Sequence, residues 1–100
     1  MIDFSAVTGF DWDDGNARKS EDKHGVTQSE AEQIFSNDPL IVVEDVEHSL
    51  NEQRFNALGQ SNEGRGLHLT FTLRDQGTLI RIISARPMNR KERDIYEKAS

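Results

Sequence analysis

The sequence predicts an α+β fold: two N-terminal helices, a four-stranded antiparallel sheet and a C-terminal helix, with residues 1–100 forming one domain. Three observations predict it. Capping signals stand before two short polar stretches in the first third of the chain, at Asp13/Asp14 and at Thr27 with Glu30. The middle holds β-rich runs separated by polar turns, the clearest being "LHLTFTL", "RDQGT" and "LIRIISAR". A last capping pair, Asn89 with Glu92, opens a charged terminal helix. A length of 100 residues suits one hydrophobic core and is short for two.

Residues 1–12 read as an irregular or short extended lead anchored by Phe4, Phe10 and Trp12. The first helix is expected over 14–24, started by an aspartate cap and closed by Gly25 as its left-handed terminator. Thr27 and Glu30 form a capping box for the second, with Val26 and Ala31 placed as a hydrophobic staple. Pro39 ends it, because the residue before proline is pushed out of the helical region. "LIVVEDV" from Leu40 is the first strand, "EHSLNEQ" its loop and "RFNALGQ" a second strand. Strict alternation sets Leu67, Leu69, Phe71 and Leu73 on a dry face and His68, Thr70 and Thr72 on a wet one. "LIRIISAR" is apolar on both parities and therefore central. In an unbroken strand its Arg81 and Arg86 point to opposite faces. The last helix is expected to turn Met88, Ile95 and Ala99 inward, with Arg90, Lys91, Arg93 and Lys98 around it.

Composition narrows the function. Without cysteine there is no disulfide framework, thiol nucleophile or thiolate zinc site. His24, His48 and His68 match no metal-ligand spacing, and no glycine-rich phosphate loop or nucleophile elbow is present, so no metal or cofactor is expected. No signal-peptide pattern or membrane-length apolar run occurs, and the expected location is the cytoplasm with no membrane partner. The net charge of −6 speaks against nucleic acid, yet its distribution does not. Residues 1–63 carry four basic and fourteen acidic side chains, whereas residues 64–100 carry eight basic and four acidic ones.

The cations with protic neighbours are the candidate site: Lys23, His24, Arg54, Arg65, Arg81, Arg86 and Tyr96. Each has an ordinary structural role open to it. Lys23 and His24 stand where positive side chains favour a helix C-terminus, the arginines have acidic partners to choose from, and Tyr96 adjoins an inner helix stripe. For chemistry, arginine holds a phosphate by two parallel hydrogen bonds, and His24 carries the group whose ordinary pKa lies near neutrality.

In order along residues 12–96, the pieces "WD" at 12–13, "KHGV" at 23–26, "GR" at 64–65, "IRIISAR" at 80–86, "ER" at 92–93 and Tyr96 resemble the BrnT family of bacterial ribonuclease toxins. The chain departs from the pattern at Asn16 and Ser20, where the family usually carries lysine and asparagine. The resemblance implies a RelE-like toxin fold and an endoribonuclease that cuts RNA to halt translation. It also implies a cognate BrnA-like antitoxin that neutralises the toxin, dimerises and represses the shared operon, so that promoter DNA is met only through the antitoxin. On that basis Lys23, His24, Arg65, Arg86 and Tyr96 are expected to be catalytic, and Arg54, Arg81 and Arg90 to bind RNA. The alternative is a catalytically inactive relative that binds the antitoxin and acts in operon repression.

Overall fold

The computed structural model describes residues 2–49 and 51–99. Met1 of the expected lead, Leu50 of the expected loop and Ser100 lie outside the described residues. The elements are β1 (Gly9–Trp12), α1 (Asp14–His24), α2 (Gln28–Gln33), β2 (Ile41–Glu44), β3 (Arg54–Gln60), β4 (Gly66–Arg74), β5 (Leu79–Pro87) and α3 (Arg90–Ala99). The strands form one sheet in the order β1-β5-β4-β3-β2. Four of them pair antiparallel, as expected.

The lead is the first departure. Gly9–Trp12 is a fifth strand, and it runs parallel to β5 with Phe10 beside Ile80 and Trp12 beside Ile82, so the sheet is mixed. Alternation in this segment places Phe10 and Trp12 against the core and Asp11 on the other face.

The helices follow their local signals. The Asp13 side chain accepts from Asn16 N–H at 3.1 Å, which starts α1. Gly25 ends it at φ 65°, ψ 25°, with its own N–H on Glu21 C=O and that of Val26 on Ser20 C=O. Thr27 Oγ1 accepts from Glu30 N–H at 3.1 Å, and Val26 and Ala31 are both buried. Asn89 and Glu92 exchange two hydrogen bonds, at 2.9 and 2.8 Å, to complete the box that starts α3.

One face of the sheet, with α1 and α2 on it, is the main core. Leu67, Leu69, Phe71, Ile80, Ile82 and Ala85 meet Val26, Ala31 and Ile34 there. Gly59 is required at this contact, since a Cβ on it would lie 2.8 Å from Ile34 Cβ. Ser20 of α1 is also buried here. Its hydroxyl accepts from Ala85 N–H at 3.2 Å, beyond the point where β1 stops pairing with β5.

The second face is wetter, and α3 covers one end of it. Tyr96, Met88 and Leu58 form a small second core with Ile41. This corrects the expected inner stripe: Tyr96 is turned inward while Ile95 and Ala99 are exposed. A second correction concerns β5. Thr70 pairs with Ser84 but Phe71 with Ile82, so Ile83 is an extra residue that breaks the alternation. Beyond the bulge the parity is reversed. Arg81 and Arg86 therefore share the second face instead of opposing one another. No helix among the described residues is long and apolar enough to cross a membrane.

Candidate nucleic-acid interface and catalytic centre

The predicted residues fall into two groups. The first lies at the end of the sheet where β5 finishes and β4 begins. Lys23 and His24 are exposed in the last turn of α1. Arg65 reaches back to the same helix end, where Nη1 donates to Gly25 C=O at 3.0 Å and Nη2 to His24 C=O at 3.2 Å. Its Nη1 also pairs with Glu30 at 2.9 Å. Arg65 thus supplies donors to the carbonyls that a helix C-terminus leaves open.

At this same end, on the second face, Arg86 is held by Glu92 of α3 in a fork of two hydrogen bonds, each 2.8 Å. That fork, together with the Asn89 N–H bond, pulls the Glu92 carboxyl down to about 2, and the same fork raises the Arg86 guanidinium. His68 faces Arg86 across the β4–β5 pair, and its Nε2 lies 3.9 Å from Glu92. Burial and then the Arg86 charge hold its pKa below the usual histidine value, so the ring is neutral at neutral pH. Its Nδ1 is buried and makes no hydrogen bond among the described residues. Tyr96 is 8% exposed and donates its hydroxyl to Pro39 C=O at 2.6 Å. Burial, with Asp38 nearby, raises its pKa. Arg90 is exposed in the first turn of α3.

The second group occupies the part of the second face away from this end. Arg54 of β3 pairs with Thr72 of β4, and Thr72 pairs with Arg81 of β5. The two arginines therefore flank one threonine in a single row, their backbones two strand spacings or roughly 10 Å apart. Thr72 donates its hydroxyl to Gln53 C=O at 2.6 Å and is buried beneath them. Arg81 lies 3.4 Å from both Asp11 and Asp13, and Arg54 makes no ion pair among the described residues. Arg74, on the same face, pairs with Glu52 at 3.0 Å.

These groups are too far apart to meet on one phosphodiester. Asp13, at the start of α1, touches Arg81, while His24 ends the helix eleven residues on, a rise of roughly 16 Å. Sequence reasoning did not single out Glu52, His68, Arg74 or Glu92 as site neighbours. The hairpin register places His68 opposite Arg86, and the strand alternation puts His68 on the wet face, so part of this was readable. The bulge at Ile83, which brings Arg81 to that face as well, has no comparable local signal.

The family model described as "Ribonuclease toxin, BrnT, of type II toxin-antitoxin system" matches residues 12–92. Among solved structures, the ribonuclease toxin BrnT of Brucella abortus superposes with a TM-score of 0.63 at 19% identity. The match covers 84% of this chain and 100% of that one, and it shows the shared fold. No curated protein sequence gives a significant match. The family match spans most of the chain, and this chain belongs to the BrnT family of ribonuclease toxins of type II toxin–antitoxin systems.

Proposed function

We propose that the protein is an endoribonuclease that cleaves RNA without a metal, by attack of a 2′-hydroxyl on the adjacent phosphate, and that a cognate antitoxin neutralises it. The 2′-oxygen forms its bond to phosphorus as the bond to the 5′-oxygen breaks. A base takes the 2′-hydroxyl proton and an acid returns one to the leaving oxygen, giving a 2′,3′-cyclic phosphate and a 5′-hydroxyl.

The observation that carries this reading is the Arg54–Thr72–Arg81 row on the open sheet face. Two permanently charged arginines on one face, two strand spacings apart, suit a phosphate whose charge grows in the transition state. Asp11 beside Arg81 and Glu52 beside Arg74 are carboxylates at the margin of the row, available for proton transfer. In this reading Arg90, with Lys23 and His24 at the rim, holds flanking RNA. Arg65 and Arg86 order the rim through the α1 carbonyls and Glu92, and Tyr96 packs α3 onto the sheet.

A second reading places the cut at the rim, with His24 as the proton-transfer group, Lys23 beside it, and Arg65 and Arg86 holding the phosphate, supported by Tyr96. It is favoured by Arg65, whose bonds to the carbonyls of His24 and Gly25 bring the arginine to the helix end.

The test is RNA incubated with the antitoxin-free protein in excess EDTA, with a 2′-deoxy substitution at a mapped cut site. Cyclic phosphate ends that vanish with the deoxy sugar support the chemistry. Loss of cleavage in Arg81→Ala but not in His24→Gln selects the face, and the reverse selects the rim. Intact RNA with the wild-type protein supports the inactive, antitoxin-binding alternative.

A further inference from the structure

On the core face the helices do not reach every strand. α1 lies over β5, and the turn after α2 meets β3 at Gly59. Among the described residues, the N-terminal segment faces the corner where β2, β3 and β4 come together, and a groove of about 900 Å³ remains between them. Its apolar lining is Ile2, Phe4, Leu40, Val42, Phe55 and Leu73. Both charged residues that line it, Asp3 and Glu44, are acidic.

We propose that this groove is the docking site for a basic amphipathic segment of the cognate antitoxin. The partner class rests on the toxin reading above; the chemistry of the segment is read from the groove. An open apolar trough of this size takes a helical segment through side chains at i, i+3, i+4 and i+7, and acidic edges select lysine or arginine on its flanks. The same edges disfavour nucleic acid. They also disfavour a second copy of this chain, which would bring its own net charge of −6. The wall formed by Ile2, Phe4 and Asp3 precedes residue 12, where the family match begins. That wall is accordingly the part suited to distinguishing this chain's own antitoxin from those of relatives. The groove and the Arg54–Arg81 row lie on opposite faces of the sheet, so a segment in the groove leaves the row uncovered.

The test uses the full chain and two short model peptides, one with leucines at helical spacing and lysines elsewhere, the other with glutamates in place of the lysines. The lysine peptide is expected to bind and to shift the amide resonances of Val42, Phe55 and Leu73. The glutamate peptide is expected to bind at least about tenfold more weakly. Asp3→Asn with Glu44→Gln, which keeps the capping oxygen at residue 3, is expected to weaken the lysine peptide about five- to tenfold. A control with the same charge change on α1, Glu21→Gln with Asp22→Asn, leaves it within about twofold. Equal binding of the two peptides, equal weakening by the control, or shifts confined to the second face around Val43 and Ile95 would overturn the proposal. RNA cleavage is assayed separately on the same protein. Cleavage without groove binding removes this inference alone, and groove binding without cleavage removes the ribonuclease reading alone.

Discussion

Two pairs of arginines share the basic half of the chain and are used differently. Arg65 and Arg86 are fixed by short bonds, the first to Glu30 and the end of α1, the second to Glu92 at the start of α3. Arg81 has only long contacts of 3.4 Å, and Arg54 has no ion pair among the described residues. A cation already held by a fork of two bonds must release its partner before it can take a phosphate, whereas a loosely held one exchanges a weak contact for a strong one. On the reading proposed above, structural and substrate arginines differ in how completely their donors are used.

The sharpest way to break this comparison is Arg81→Ala. On the face reading it lowers RNA cleavage by about 10²- to 10³-fold, the scale of losing one transition-state donor, and moves the melting temperature by only a few degrees. Near wild-type cleavage ends the face reading. Arg86→Ala should do the opposite to stability: it strands the Glu92 carboxylate in a half-buried place and costs about 1–3 kcal/mol, visible as a melting temperature lower by several degrees. Adding Glu92→Ala should recover part of that loss, and no recovery would mean the pair is not what Arg86 contributes.

Acid should expose the same pair. Glu92 is held down to about 2 from an ordinary 4.5, so its stabilisation is present above about 4.5 and is lost as pH falls toward 2. The His68 pKa is also lowered. The unfolded chain therefore binds its proton first, and stability declines as pH falls from about 6.5 through the folded value. Chemical denaturation across this range should show both limbs in the wild type. Arg86→Ala should flatten the lower one and His68→Gln should remove the upper one. The smallest effect is expected for Arg65→Ala, about 1 kcal/mol by thermal melting, because Arg65 and Glu30 share one hydrogen bond where Arg86 and Glu92 share a fork, and the helix end keeps its Gly25 turn.

Much of this molecule is legible in its sequence. The bounds of α1, the boxes at Thr27 and Asn89, and the dry face of β4 were all readable, because a cap, a terminator or an alternation involves residues within a few positions of each other. β1 was not. Four residues beginning with Gly9 carry little strand signal, and what makes them a strand is pairing with β5 some seventy positions later. Ser20 shows the same limit. As a departure from the family pattern it drew attention to itself, yet its buried hydroxyl serves to hold Ala85 N–H.

For the site, the sequence by itself determined which cations exist, that His68, Thr70 and Thr72 share a wet face, and, through ordered motifs, the family. Tertiary structure decided which cations lie together on one face. One extra residue at Ile83 turns Arg81 and Arg86 to the same face, and the return of α3 brings Glu92 to lock Arg86 in a short fork, while Arg81 has only the longer contacts to Asp11 and Asp13. Side-chain chemistry is written residue by residue, but the pairing of charges depends on contacts between strands and helices distant in the chain, and those are chosen by packing of the whole core.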